Sequence, residues 1–276
     1  MATEAPQAFN LPPSLSLANK TAIVTGASRG IGAHLAFSLA QRGANVALIY
    51  TSDSSQPLAE KVAADIRALP GRKACLVQAD MSAPDCGDKI VQGTLSGLAT
   101  QTIELVVLNA AIGERTPLDS ETSDAEQAAA FDRTFHTNVR GPALLVRALL
   151  PFLPTAPTAA NRIVAVSSLN ARLHFAGWAD YSASKAALES LTRTWARELA
   201  APYRLTANAV VVGPTVTERA PPDPVARERA KGLATAEARL GSVRDVAECV
   251  GWLLAPGSAW VNGDCVGCHG GAVFGA

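Results

Sequence analysis

The sequence predicts a doubly wound α/β domain, a seven-stranded parallel sheet with helices on both faces. Three observations carry this expectation. Short β-branched runs alternate with longer helical stretches from Lys20 onward, and the first six runs are almost continuously apolar. The helical stretches are also long enough to return the chain to the next strand's start. A chain of 276 residues suits one large domain of this kind. With 48% hydrophobic but only 5% aromatic residues, its core must be aliphatic.

The strands are expected at 21–25, 46–50, 74–78, 105–109, 162–167, 205–211 and 264–268, and the helices at 31–42, 57–69, 84–99, 125–153, 179–200 and 243–254. A Pro-containing extension, 1–17, precedes the single domain, and 154–161 is a second Pro-rich stretch. The segment 214–224 is long for an αβ connection, which suggests a lid reaching to about 240, with a small helix within 225–238. Leu144, Leu145, Leu149, Leu188, Leu191 and Trp195 exceed what one sheet face needs, which predicts a homodimer or homotetramer.

Composition narrows the function. Lys plus Arg and Asp plus Glu number 24 each with no basic block, so nucleic acid is not an expected ligand. No apolar run reaches membrane-spanning length, and 1–16 does not read as a secretory signal. Five cysteines, an odd number, read as free thiols in a reducing compartment, so a soluble cytoplasmic protein with a small-molecule substrate is expected.

Thr25-Gly26-Ala27-Ser28-Arg29-Gly30-Ile31-Gly32 lies between the first strand and the first helix. Glycines there permit a tight turn and close approach to a ligand, and the helix start offers unpaired N–H groups to a pyrophosphate. Tyr50, Thr51 and Ser52 follow the second strand, where a carboxylate would select a ribose 2′-hydroxyl. Hydroxyls there, with Arg29 as a nearby cation, suit a 2′-phosphate instead and point to NADP(H). Tyr181 and Lys185, four apart, share a helix face, and Ser168 follows the fifth strand on the same rim.

The Thr-Gly-x-x-x-Gly-Ile-Gly spacing resembles the classical short-chain dehydrogenase/reductase family, over about 20–271. The resemblance implies a Rossmann fold and a ketoreductase or alcohol dehydrogenase. It assigns Asn138, Ser168, Tyr181 and Lys185 as the catalytic tetrad. Tyr181 would exchange the proton, helped by the Lys185 ammonium, which favours phenolate; Ser168 would hold the substrate oxygen; Asn138 would fix a water joining Lys185 to solvent. Asp80 and Met81 would flank the adenine, Asn109, Ala110 and Ala111 would underlie the ribose, and Pro214, Thr215 and Thr217 would meet the carboxamide. Ile112, Arg115, Asn170, His174, Trp178 and Gly213 are expected around the substrate, a polyketide-like phenol or quinone, a cyclic ketone or a 3-oxoacyl compound. Leu108, Ala111, Val212 and His269 depart from the family pattern.

Cys265-Val266-Gly267-Cys268-His269 spells a haem-attachment motif, but it reads as the last strand with buried thiols, and no metal site is expected. A dinucleotide sensor without catalysis, or a non-redox epimerase or dehydratase, are the alternatives. The intact Tyr/Lys pair opposes the first, and the glycine spacing the second.

Overall fold

The computed structural model describes residues 11–119, 121–218 and 224–274. Seven parallel strands, β1 (Thr21–Thr25), β2 (Asn45–Tyr50), β3 (Ala74–Gln78), β4 (Leu105–Leu108), β5 (Asn161–Ser168), β6 (Leu205–Val212) and β7 (Cys265–Cys268), form one sheet ordered β3-β2-β1-β4-β5-β6-β7. The first six strands are dominated by Val, Leu, Ile and Ala, and β1, β4 and β6 are buried throughout, because helices cover both faces.

On one face lie α1 (Gly30–Gln41), α2 (Gln56–Arg67) and α10 (Val243–Leu254), packing Leu35, Ile66 and Val250 onto Val24, Val46 and Val210. On the other lie α3 (Cys86–Leu98), α5 (Gly141–Leu149) and α7 (Ala179–Glu198), packing Ile90, Leu145 and Leu188 onto Ile23, Val106 and Ile163. The remaining helices are α4 (Asp124–Phe135) and the shorter α6 (Asn170–Leu173), α8 (Ala200–Tyr203) and α9 (Pro224–Lys231). Strand order reverses between β1 and β4, so their carboxyl ends splay apart and leave a crevice.

Two expectations are corrected. The helix predicted over 125–153 is four pieces: α4, a π turn at His136–Arg140, α5, and a 3-10 turn at Leu150–Phe152. Pro142 is buried in α5's first turn and Gly141 lies against the Met81 carbonyl, where a Cβ would come within 2.2 Å of oxygen. A straight helix must therefore yield to that close approach. Second, Leu145, Leu149, Leu188 and Trp195 face the sheet and are buried, while Leu144 and Leu191 are half-buried. Exposed large apolar side chains among the described residues lie at other positions, including Leu118, Trp260 and Phe274, with Phe131 on α4 and Trp252 on α10 partly exposed.

Beyond α9 the segment expected to be helical continues as turns, and residues 219–223 of the expected lid and 1–10 of the expected extension lie outside the described residues. All five cysteines are free. Cys265 packs toward α7 and Cys268 toward α10, on opposite faces of the sheet, as an i, i+3 pair in a strand must. Both are half-buried rather than buried, and they cannot act as one dithiol. No helix among the described residues is long and apolar enough to cross a membrane.

Candidate active site

The crevice at the strand reversal opens into a cavity of about 620 Å³. Its floor on one side is main chain. Gly26 and Gly30 have φ of +67° and +56°, the left-handed region where a side chain is strained. At Gly32 a Cβ would stand 2.1 Å from the Gly26 carbonyl oxygen and 2.5 Å from Asn109 Nδ2, so only glycine fits. Arg29 caps α1 without a side-chain hydrogen bond, leaving the first-turn N–H groups directed at the cavity. A cradle that any Cβ would fill, at the positive end of a helix, fits a pyrophosphate.

Thr25 and Asn109 brace this floor. The Thr25 hydroxyl donates to the Val107 carbonyl (3.3 Å) and accepts from the Asn109 and Ala110 amides (2.9 and 3.0 Å), while Asn109 Nδ2 donates to the Thr25 carbonyl at 2.9 Å. At the adenosine end Tyr50, Thr51, Ser52, Ser55, Asp80 and Met81 line the wall. Ser52 and Ser55 form a reciprocal cap at the turn before α2, with the Ser52 amide donating to Ser55 Oγ at 3.2 Å and Ser55 Oγ donating to the Ser52 carbonyl at 2.7 Å. No carboxylate lines this end except Asp80, whose Oδ1 accepts from the Ser82 amide at 2.9 Å.

The other wall is made of side chains. Tyr181 and Lys185 project from one face of α7, and the Lys185 ammonium lies 5.8 Å from the Tyr181 ring centre. Lys185 is 2% exposed, and its Nζ donates to the Val166 carbonyl at 2.7 Å. Trp178 meets the Tyr181 ring edge-on at 6.0 Å between centres. Gly113 lies against that ring so closely that a Cβ would approach it to 2.7 Å. Ser168 Oγ accepts from the Asn170 amide at 3.2 Å, which leaves the hydroxyl proton to be donated elsewhere.

Asn138 stands in the π turn, fully buried. Its Oδ1 accepts from the Ile112 amide (2.9 Å) and its Nδ2 donates to the Ile112 carbonyl (2.8 Å) and Ser184 Oγ (3.0 Å). Both amide protons are thereby used, so the side chain ties the loop after β4 to α7.

Every expected cofactor contact lines the cavity except Pro214, which lines a smaller one of about 250 Å³ with His269, Arg239 and Asp245. Of the expected substrate residues, Ile112 and Gly213 line the main cavity and Arg115, Asn170, His174 and Trp178 do not. Arg115 packs on Gly177 beside the hydrogen bond from the Thr116 amide to the Gly177 carbonyl (2.8 Å), and His174 is exposed at the end of α6. These residues form a rim. Burial first, then Arg172, holds the His269 imidazole below its usual range.

Ser55, Thr137, Val166, Ser167 and Glu218 line the cavity without having been singled out in the sequence, and Val212, noted there as a departure from the family pattern, lines it as well. For Ser55 the signal was available, a hydroxyl three residues after Ser52 before a helix; Val166 and Ser167 contribute through their place at the end of β5.

The sequence matches the short chain dehydrogenase family model over residues 20–224. It is 41% identical over 272 residues to the short-chain dehydrogenase/reductase FrzI of a Cladobotryum species, covering 96% of this chain and 99% of that protein. With the L-xylulose reductase of Aspergillus niger it shares 38% identity over 209 residues, 74% of this chain and 70% of the relative. Among solved structures, the angucycline C-6 ketoreductase LanV with bound NADP superposes with a TM-score of 0.84 at 29% identity, covering 94% of this chain and 98% of that one.

Proposed function

Since the chain belongs to the short-chain dehydrogenase/reductase family, and is thereby an oxidoreductase of the CH–OH/C=O couple that uses a nicotinamide cofactor, we propose that it is an NADPH-dependent ketoreductase. The observation that carries this reading is the delivery of Tyr181, Lys185 and Ser168 to the same cavity as the glycine cradle.

When bound in that cavity, the reduced nicotinamide supplies the hydride for the carbonyl carbon. The chain's own residues do the rest. Gly26, Gly30 and Gly32 let α1's N–H groups reach the pyrophosphate. Arg29 and the Ser52 hydroxyl receive a 2′-phosphate, with Ser55 holding the Ser52 turn in place and no second-strand carboxylate to repel it. The Ser168 hydroxyl, one of whose lone pairs accepts from the Asn170 amide, donates to the substrate oxygen as negative charge grows there. Tyr181 gives that oxygen its proton. The resulting phenolate is stabilised by the Lys185 ammonium, which the Val166 carbonyl holds in place. Asn138 keeps the loop carrying Ile112 against α7.

A cyclic ketone or quinone of polyketide type is the substrate class that the likeness to the angucycline ketoreductase supports. Acyl thioesters and ketoses are the competing classes, the latter from the likeness to the xylulose reductase. Initial rates of NADPH and NADH oxidation over cyclic ketones, quinones, 3-oxoacyl thioesters and ketoses test this. The reading requires a cyclic ketone or quinone to lead with NADPH, and a ketose or thioester leading would reassign the substrate. The five free thiols support a reducing, cytoplasmic setting. The 100% exposed Trp260 and 82% exposed Phe274 support a homo-oligomer, dimer or tetramer, whose mass light scattering checks. The lid reading is kept as a proposal for the described parts of its segment, 214–218 and 224–240.

A further inference from the structure

The mechanism above leaves the buried carboxylate of Glu189 unused. Glu189 lies on α7 four residues beyond Lys185 and eight beyond Tyr181, on the same helix stripe, and it is 1% exposed. Its Oε1 accepts from the Ser167 hydroxyl at 2.5 Å. Its Oε2 accepts from the Arg172 guanidinium on α6 and from the Cys265 thiol at 3.5 Å. Successive rungs of α7 therefore grip successive residues of β5: Lys185 holds the Val166 carbonyl, and Glu189 holds Ser167. The chain then arches through Ser168, Leu169, Asn170 and Ala171 to Arg172, which returns to the same carboxylate. Both feet of this arch stand on Glu189, and its span carries Ser168 and the amide that orients it.

The groups around Glu189 are matched to that role. Burial opposes the Arg172 charge, but the hydrogen bond and charge of Glu189 outweigh it and raise the guanidinium above its usual range. Burial, then Glu189, pushes the Cys265 thiol up, so it remains a protonated donor. A buried ion pair is a weak source of stability, since apolar residues of similar volume often serve as well. What it supplies here is direction: a planar carboxylate fixes two points of the arch relative to α7.

We propose that the Glu189–Arg172 pair, with Ser167, is the positioning device of the carbonyl side, setting where Ser168 stands relative to Tyr181. This rests on the ketoreductase reading for its kinetic consequence but not for its structural one. Neither residue touches the reacting atoms in this scheme; they act through Ser168.

Two variants, Glu189→Gln and Arg172→Met, test it, the second keeping the proposal decidable if the first misfolds. Hydrogen exchange of the 169–174 amides is expected to rise at least about tenfold while the 26–32 loop is unchanged. NADPH affinity should stay within roughly twofold, while KM for the best ketone rises about tenfold or more and the enantiomeric ratio of the alcohol falls. The apolar double variant Glu189→Leu/Arg172→Met should recover Tm but not KM or enantiomeric ratio. Unchanged exchange at 169–174 would overturn the proposal, as would equal losses in NADPH and ketone affinity or full kinetic recovery in the double variant. If no ketone is reduced by the wild type, the ketoreductase reading fails, and exchange and NADPH titration still decide the arch.

Discussion

The phosphate side of the cavity is walled by main chain and the carbonyl side by side chains. At Gly32 the nearest obstruction to a Cβ is a carbonyl oxygen of β1's own exit turn, which cannot step aside. At Tyr181 the ring is held by Trp178, Gly113 and the Lys185 ammonium, contacts that change with one rotamer. The first wall recognises a group common to every dinucleotide, and the second must suit one carbonyl compound and its face. A fold can thus retain the first while side chains remake the second.

The sharpest way to separate the two walls is Tyr181→Phe. It removes one proton donor and little surface, so kcat should fall by about 10²–10⁴-fold while NADPH titration by fluorescence changes little. Parallel losses in cofactor binding and turnover would mean that the walls are not independent.

Gly32→Ala attacks the opposite wall. The added methyl meets the Gly26 carbonyl, so the cradle must open at a cost of about 1–3 kcal/mol in stability. NADPH affinity should fall on the order of a hundredfold, because a few kcal/mol of misplacement converts directly into affinity. Calorimetry and NADPH titration check both, and an alanine tolerated with native affinity would contradict the geometry.

Tyr50→Asp probes the place where the phosphate-side wall becomes side chain. A carboxylate beside the 2′-phosphate site should move the NADPH to NADH ratio of kcat/KM by roughly tenfold or more toward NADH, since like charges brought together cost several kcal/mol. An unchanged ratio would assign the selection to Arg29 alone.

The smallest effect is expected at Asp245, in the first turn of α10. Arg239 and then Ser242 hold the Asp245 carboxyl well below the usual carboxylate range. A carboxylate depressed in the folded state stabilises the fold above its unfolded value, near 4, and that contribution is lost as pH falls through the lower folded value. The Asp245 side chain is 40% exposed, so screening makes the effect small. Asp245→Asn should lower Tm slightly at pH 7, the gap should close in acid, and salt should narrow it; a gap independent of pH would contradict the ion-pair account.

The same contrast explains what the sequence reveals. The glycine cradle is legible because steric exclusion leaves no alternative residue, and the strands because parallel burial demands continuous apolar runs. Their ends shift by a residue or so, as at Leu108, because pairing rather than composition ends a strand. The π turn at Asn138 leaves no trace, since His136, Thr137 and Val139 are as compatible with a regular helix. Glu189 is hidden for a related reason: a Glu four residues after a Lys reads as a solvated helix pair, and only the tertiary fold turns it onto Ser167 and Arg172. The rim residues Arg115 and His174 were legible as candidates but not as to distance from the cavity, because loops obey no period.

Deuterium transfer tests the central claim most directly. With NADPH carrying deuterium at the transferable nicotinamide position and the best ketone of the panel, the wild type should place one deuterium on the carbinol carbon. Tyr181→Phe should bind the same cofactor and form no product on that timescale. NADPH oxidation without deuterium in the alcohol, or wild-type transfer by Tyr181→Phe, would contradict the account.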